Sequence, residues 1–245
     1  MVTCYDYTFA RLLSKTAVDG ILVGDSAAMV MHGHDSTLSA SVELIRLHTE
    51  AVARGATNKF VVADMPFLSY RKGLVAALGS AQGLMTAGAH AVKIEGVDGH
   101  EDVIRRLVQS GIPVMGHLGL QPQSVHAYGG FRVQGRSDES ARDICSKAAS
   151  LEQLGAFAIV LECIPASLAA EITKTLRIPT IGIGAGVGCD GQILVLQDLL
   201  GMNIDFQPKF ARPFLDGAGN VLNAVTHFDQ AVKAGTFPAS EESYS

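Results

Sequence analysis

No stretch of this chain approaches the ~18 consecutive apolar residues that a membrane-spanning helix needs, so no membrane partner is expected. Basic residues are the scarcer charge. Lys and Arg number 19 against 24 Asp and Glu, for a net charge of −5 and a pI near 5.9. Nucleic-acid binders carry a basic stripe, so no nucleic-acid partner is expected either. Cysteine is sparse: Cys4, Cys145, Cys163 and Cys189 are scattered without metal-type spacing and read as reduced thiols of a cytoplasmic protein. The start, Met1-Val-Thr-Cys-Tyr-Asp6, lacks the basic-then-apolar order of a signal peptide. No linker or low-complexity stretch interrupts the chain, so one globular domain over residues 1–245 is expected, ending in a frayed acidic tail from Ser240 to Ser245.

Apolar residues make up 48% of the chain, enough for a sizeable core, and its 26 glycines suit many tight strand–helix turns. Apolar runs recur, and four of them end in an acid: Ile21-Leu-Val-Gly-Asp25, Phe60-Val-Val-Ala-Asp64, Ala91-Val-Lys-Ile-Glu95 and Phe157-Ala-Ile-Val-Leu-Glu162. Such unbroken runs read as strands buried on both faces, as in parallel sheets. The remaining strands are expected at Val2–Tyr5, Val114–His117, Pro179–Gly184 and Gln192–Leu196. Helical segments fall between them: Thr8 to about Asp19, Val42–Arg54 behind a Ser39 or Ser41 cap, Leu74–Ala87, Asp102–Gln109, Ala141–Leu154 and Ser167–Leu176. Eight strands alternating with helices, in 245 residues, fit a (β/α)8 TIM barrel better than an open doubly wound sheet. Only the turn-rich stretch from Leu118 to Ser137 breaks the rhythm.

Acids at strand ends belong to the C-terminal rim of such a barrel, where its chemistry is done. Taken singly, Asp25, Asp64 and Glu95 are ordinary turn or loop residues. Together they would crowd and repel, a cost that a hard divalent cation relieves. Lys93 lies inside a strand, on the same face as Glu95; it either pairs with an acid or holds a substrate anion. Glu162, beside Cys163 and Ile164, is either a partly desolvated general base or a rim ion pair. His117 is either a donor to substrate or a satisfied imidazole. The run Ile181-Gly-Ile-Gly-Ala-Gly186 has no following Lys-Ser/Thr and is a weak phosphate-loop signal.

In chain order stand Tyr5-Asp-Tyr7, Leu22-Val-Gly-Asp-Ser26, Gly33-His-Asp-Ser-Thr37, Ala63-Asp-Met-Pro-Phe67, Val92-Lys-Ile-Glu-Gly96, Gly116-His-Leu-Gly-Leu-Gln-Pro-Gln-Ser124, Leu161-Glu-Cys163, Ile181–Gly186 and Asp190-Gly-Gln192. This set resembles the ketopantoate hydroxymethyltransferase family, from the first residues to about Phe210. The resemblance implies a barrel of the phosphoenolpyruvate mutase/isocitrate lyase kind and a homo-oligomer, with a homodecamer expected. It implies Mg2+ on Asp25 and Asp64, with Glu95 completing the site directly or through water. It makes Ser26 and Lys93 binders of a 2-oxo acid and Glu162 the base, with 5,10-methylenetetrahydrofolate as co-substrate. The family has a longer segment before Tyr5-Asp-Tyr7, which bears on assembly and the barrel bottom more than on the rim. The Lys-Lys-Cys-Gly-His loop typical of the isocitrate lyase group has no counterpart here.

Overall fold

The computed structural model describes residues 1–204 and 207–244. By contact the chain falls into two compact units, Met1–Val195 and Leu196–Ser245. In the first, β1 (Val2–Thr3), α1 (Tyr7–Leu13), β2 (Gly20–Val23), α2 (Ala27–Val30), α3 (Val42–Gly55), β3 (Phe60–Asp64), α4 (Leu74–Thr86) and β4 (Ala91–Glu95) come first. They are followed by α5 (Glu101–Gln109), β5 (Val114–Gly119), α6 (Asp138–Gln153), β6 (Ala158–Glu162), α7 (Ala166–Thr175), β7 (Thr180–Ile183) and β8 (Gly191–Gln192). The strands form one parallel sheet in chain order. A bridge from Val2 to Leu194, with the Thr3 N–H donating to the Leu194 carbonyl at 3.0 Å, returns the last strand to the first. This is the (β/α)8 barrel that the alternation of runs implies.

The alternation of side chains along each strand explains how the barrel is filled and where its chemistry begins. Outward-facing Ile21, Val23, Val61, Val92, Ile94, Ile159 and Leu161 are wholly or almost wholly buried. Inward-facing Leu22, Val62, Ala91, Met115, Ala158, Val160 and Ile193 pack together as an apolar plug. Two residues further along the same inward faces stand Asp64 above Val62, Lys93 and then Glu95 above Ala91, His117 above Met115, and Glu162 above Val160. The interior therefore changes from apolar to ionisable toward the C-terminal rim.

Element boundaries differ from expectation where side chains intervene. β1 ends before Tyr5, because Asp6 turns the chain into α1 by accepting from the Phe9 N–H at 2.9 Å. α1 stops at Leu13, six residues before the expected Asp19. There the Ser14 and Thr16 hydroxyls bond back to the carbonyls of Arg11 (2.7 Å) and Leu13 (2.8 Å), competing with further helix. Ser41 is the α3 cap, accepting from the Leu44 N–H at 3.1 Å. β8 is only Gly191–Gln192. The second unit holds α8 (Leu196–Leu199) and α9 (Gly217–Lys233), with the Asp216 carboxylate capping α9 through the Gly219 N–H at 3.1 Å. α9 exposes Val221, Leu222, Val225, Phe228 and Val232. Where the sequence suggests a frayed tail, Ser240–Glu242 wind into a 3-10 turn, with Glu242 accepting from the Ala239 N–H at 2.7 Å. Ser245 lies outside the described residues.

Candidate active site at the C-terminal rim

Strand register brings the rim residues into one layer. Asp64 on β3 is level with Lys93 on β4, Glu95 on β4 with His117 on β5, and Gly119 on β5 with Glu162 on β6. Lys93 Nζ lies 2.9 Å from Asp64 Oδ1 and 3.2 Å from His117 Nδ1. His117 in turn has Nδ1 3.4 Å from Glu95 Oε1 and Nε2 3.1 Å from Glu162 Oε2. The other oxygen of Asp64 accepts from the Asp25 main-chain N–H at 2.8 Å, just past the end of β2. Asp25, Asp64, Lys93, Glu95 and His117 are buried, and Glu162 is partly open.

Two glycines make these approaches possible. Gly119 has φ +90, a conformation costly for any side chain, and a Cβ there would run into the Glu162 carbonyl. At Gly24 a Cβ would lie 2.8 Å from Ser26 Oγ and 3.4 Å from Asp64 Oδ2. Ser26 is placed by the Tyr5 hydroxyl, 2.8 Å from its Oγ. Cys163, directly after Glu162, adopts φ +48, a strained conformation of the kind that collects at functional sites.

The layer's electrostatics are uneven. The carboxylates Asp25, Asp64, Glu95 and Glu162 outnumber the basic Lys93 and His117. Burial, then the charges of Asp64 and Glu95, push the Asp25 carboxyl well above the ordinary range; Lys93 and Gln123 oppose that only in part. Burial alone would discharge the Lys93 ammonium, but Asp64, Glu95 and Asp25 outweigh it and hold its pKa above normal. For His117, burial and Lys93 act downward, yet bonding to Glu162 and Glu95 prevails and raises it to about 9. Asp64 Oδ1 and Glu95 Oε1 are buried without a well-aligned hydrogen bond, although each has a cationic neighbour. Among the described residues, no three His, Cys, Asp or Glu side chains are grouped as ligands of one ion.

The structure thus joins Asp25, Ser26, Asp64, Lys93, Glu95, His117 and Glu162, all named from sequence, and adds two. Gln123, in a 3-10 turn (Pro122–Ser124) after β5, donates from Nε2 to Asp25 Oδ2 at 2.8 Å and from its main chain to Glu95 Oε2 at 3.0 Å. Tyr70 donates to Gln123 Oε1 at 2.9 Å. The signal available for Gln123 was its place in a long loop at the functional end of a barrel.

Fold and site together define a (β/α)8 barrel with a carboxylate-rich rim. Two solved structures share the fold. One is phosphonopyruvate hydrolase complexed with oxalate and Mg++ (TM-score 0.63, 12% identity, 98% of this chain and 87% of that one). The other is 2,3-dimethylmalate lyase, a member of the PEP mutase/isocitrate lyase superfamily (TM-score 0.59, 16% identity, 100% and 85%). Within that fold, the chain belongs to the ketopantoate hydroxymethyltransferase family, whose profile matches residues 1–240. A 3-methyl-2-oxobutanoate hydroxymethyltransferase of Bdellovibrio bacteriovorus is 56% identical over 245 residues, 100% of this chain and 93% of that relative.

Proposed function

We propose that this protein transfers a hydroxymethyl group from 5,10-methylenetetrahydrofolate to 3-methyl-2-oxobutanoate, giving 2-dehydropantoate and tetrahydrofolate. This is the first step of pantothenate biosynthesis. The observation that carries the reading is the single connected layer of Asp25, Asp64, Lys93, Glu95, His117 and Glu162, in a chain matched along its length by the family.

Mg2+ fits this layer. It prefers hard oxygen donors and is commonly held by one or two carboxylates, with water and substrate in its other positions. That suits a site with surplus carboxylate charge, where buried Asp64 Oδ1 and Glu95 Oε1 lack a well-aligned hydrogen bond. Asp25 and Asp64 would hold the ion, with Glu95 reaching it directly or through water. When bound, it supplies a Lewis acid that polarises the 2-oxo group.

The chain's own groups account for the remaining chemistry. Lys93 and Ser26 hold the 2-oxo acid, with Ser26 oriented by Tyr5. Glu162 takes the proton from C3 of the oxo acid, and the C–H electron pair passes into the enolate. Water adds to the methylene carbon of the folate, and both of that carbon's bonds to nitrogen break as the two nitrogens take up the water's protons, leaving it at the formaldehyde level. C3 bonds to this carbon, the C=O electron pair passes to oxygen, and the proton held by Glu162 completes the hydroxymethyl group. His117, 3.1 Å from Glu162, holds the base in place and lies beside Lys93 at the substrate.

The same reading includes a homo-oligomer, a homodecamer by family resemblance, and the exposed apolar stripe on α9 offers surface for association. A cytoplasmic location belongs to it as well; among the described residues no helix is long and apolar enough to cross a membrane. Incubating the protein with 3-methyl-2-oxobutanoate, 5,10-methylenetetrahydrofolate and Mg2+ tests the activity. Formation of 2-dehydropantoate that depends on all three supports it; its absence at high enzyme concentration refutes it.

A further inference from the structure

Gln123 is buried, uncharged, and committed to the site through each polar group of its side chain. Its Nε2 donates to Asp25 Oδ2 (2.8 Å) and to the Met65 carbonyl (3.0 Å). A carbonyl can only accept, so the amide orientation is settled by the network itself. Oε1 therefore faces Tyr70, whose hydroxyl donates to it at 2.9 Å and also lies 3.2 Å from the Glu95 carbonyl. The Gln123 main-chain N–H reaches the Glu95 carboxylate at 3.0 Å. One residue thus spans the ends of β2, β3 and β4 from the loop after β5.

We propose that Gln123 is a positioning residue that fixes the carboxylates of Asp25 and Glu95 for a divalent cation, with Tyr70 locking its amide. The inference rests on the reading of Asp25 as a cation ligand. The physical need is clear. Asp25, Asp64 and Glu95 are buried and mutually repulsive, so without restraint they would separate or take up protons. Lys93 already faces Asp64, and a second cationic side chain in place of Gln123 would compete further with the incoming cation. An amide donates hydrogen bonds to carboxylates while adding no net charge, and each acceptor keeps further lone pairs for the ion.

Mn2+ alone, titrated into the protein and followed by electron paramagnetic resonance, tests this with four proteins: wild type, Asp25→Asn, Gln123→Met and Tyr70→Phe. Met has similar length and no donor. Gln123→Met is expected to weaken Mn2+ binding about tenfold or more, as loss of a hydrogen bond to a buried charged group does. Tyr70→Phe is expected to weaken it roughly threefold, because the amide persists but is less firmly held. In turnover, Gln123→Met should need more Mg2+ yet recover most of its kcat at saturation, a split that simple loss of folded protein would not give. Weakened binding in Asp25→Asn with affinity within about twofold of wild type in Gln123→Met would overturn this inference alone. Wild-type affinity in Asp25→Asn would overturn the metal reading and this inference with it. Should Gln123→Met fail to fold, Tyr70→Phe decides, and unchanged Mn2+ affinity there is the contrary result.

Discussion

Replacing Lys93 by Met keeps the length of the stem and deletes the charge. Lys93 Nζ and Asp64 Oδ1 are 2.9 Å apart, with side chains 5% and 3% exposed. At an effective dielectric constant near 20, that separation corresponds to about 6 kcal/mol of attraction, offset in part by the cost of burying the ammonium. Removing one partner from a buried pair costs ~3–5 kcal/mol, because the other charge is left uncompensated. Here the orphan would be Asp64, already close to Asp25 and Glu95, which places the expected loss at the upper end. For a chain of this size, that lowers the unfolding midpoint by roughly 10–20 °C in the absence of divalent cation. Millimolar Mg2+ should restore part of the loss by binding the surplus carboxylates of the folded state. The double variant Lys93→Met/Asp64→Asn should be more stable than Lys93→Met alone, since it removes the carboxylate that lost its ion-pair partner. Scanning calorimetry with EDTA and with Mg2+ measures all of this. A Lys93→Met midpoint within a degree or two of wild type in EDTA, or a double variant less stable than the single one, would refute the reasoning.

Two further outcomes follow from the same charge distribution and from burial. The His117 pKa is raised to about 9 from an unfolded value near 6.5, so the protonated imidazole stabilises the fold fully below pH ~6.5. That contribution, about 3 kcal/mol, is lost as pH rises through 9; urea titrations of the cation-free protein from pH 6 to 10 should show a decline that is flattened in His117→Gln. Burial pushes the thiol of Cys4 to about 11 against backbone hydrogen bonds that favour the thiolate, and burial together with the Glu162 charge pushes Cys163 to about 12. Iodoacetamide at pH 8 should therefore leave both unmodified in the folded protein, as read by mass spectrometry after a short exposure; rapid labelling of Cys163 would contradict its place beside Glu162.

Strand existence was legible because the barrel buries both faces of most strands, so runs such as Val61–Ala63 contain no polar residue to confuse the period. Lys93, inside such a run, was informative for the same reason: a charge in a doubly buried strand needs a partner, and Asp64 one strand away supplies it. What failed to show was whatever depends on side chains folding back on the chain. The end of α1 is set by the Ser14 and Thr16 hydroxyls, and the length of β1 by the Asp6 cap. Gln123, although inside the Gly116–Ser124 motif, and Tyr70 were given no role because neither residue type signals chemistry, and their meaning lies in loops that meet only in three dimensions. At His117 and Glu162 the structure shows the rim ion pair, 3.1 Å long, while the base and donor roles stand as proposals.

The central claim is that this rim removes the C3 proton of a 2-oxo acid through Glu162. Hydrogen exchange isolates that step from folate and from product formation. With 3-methyl-2-oxobutanoate, Mg2+ and D2O but no folate, nuclear magnetic resonance should show loss of the C3 proton signal at a rate proportional to wild-type enzyme. Glu162→Gln should remain folded, bind the oxo acid, and exchange it roughly a hundredfold to ten-thousandfold more slowly. Exchange by Glu162→Gln at the wild-type rate would contradict the account and place the base elsewhere in the layer.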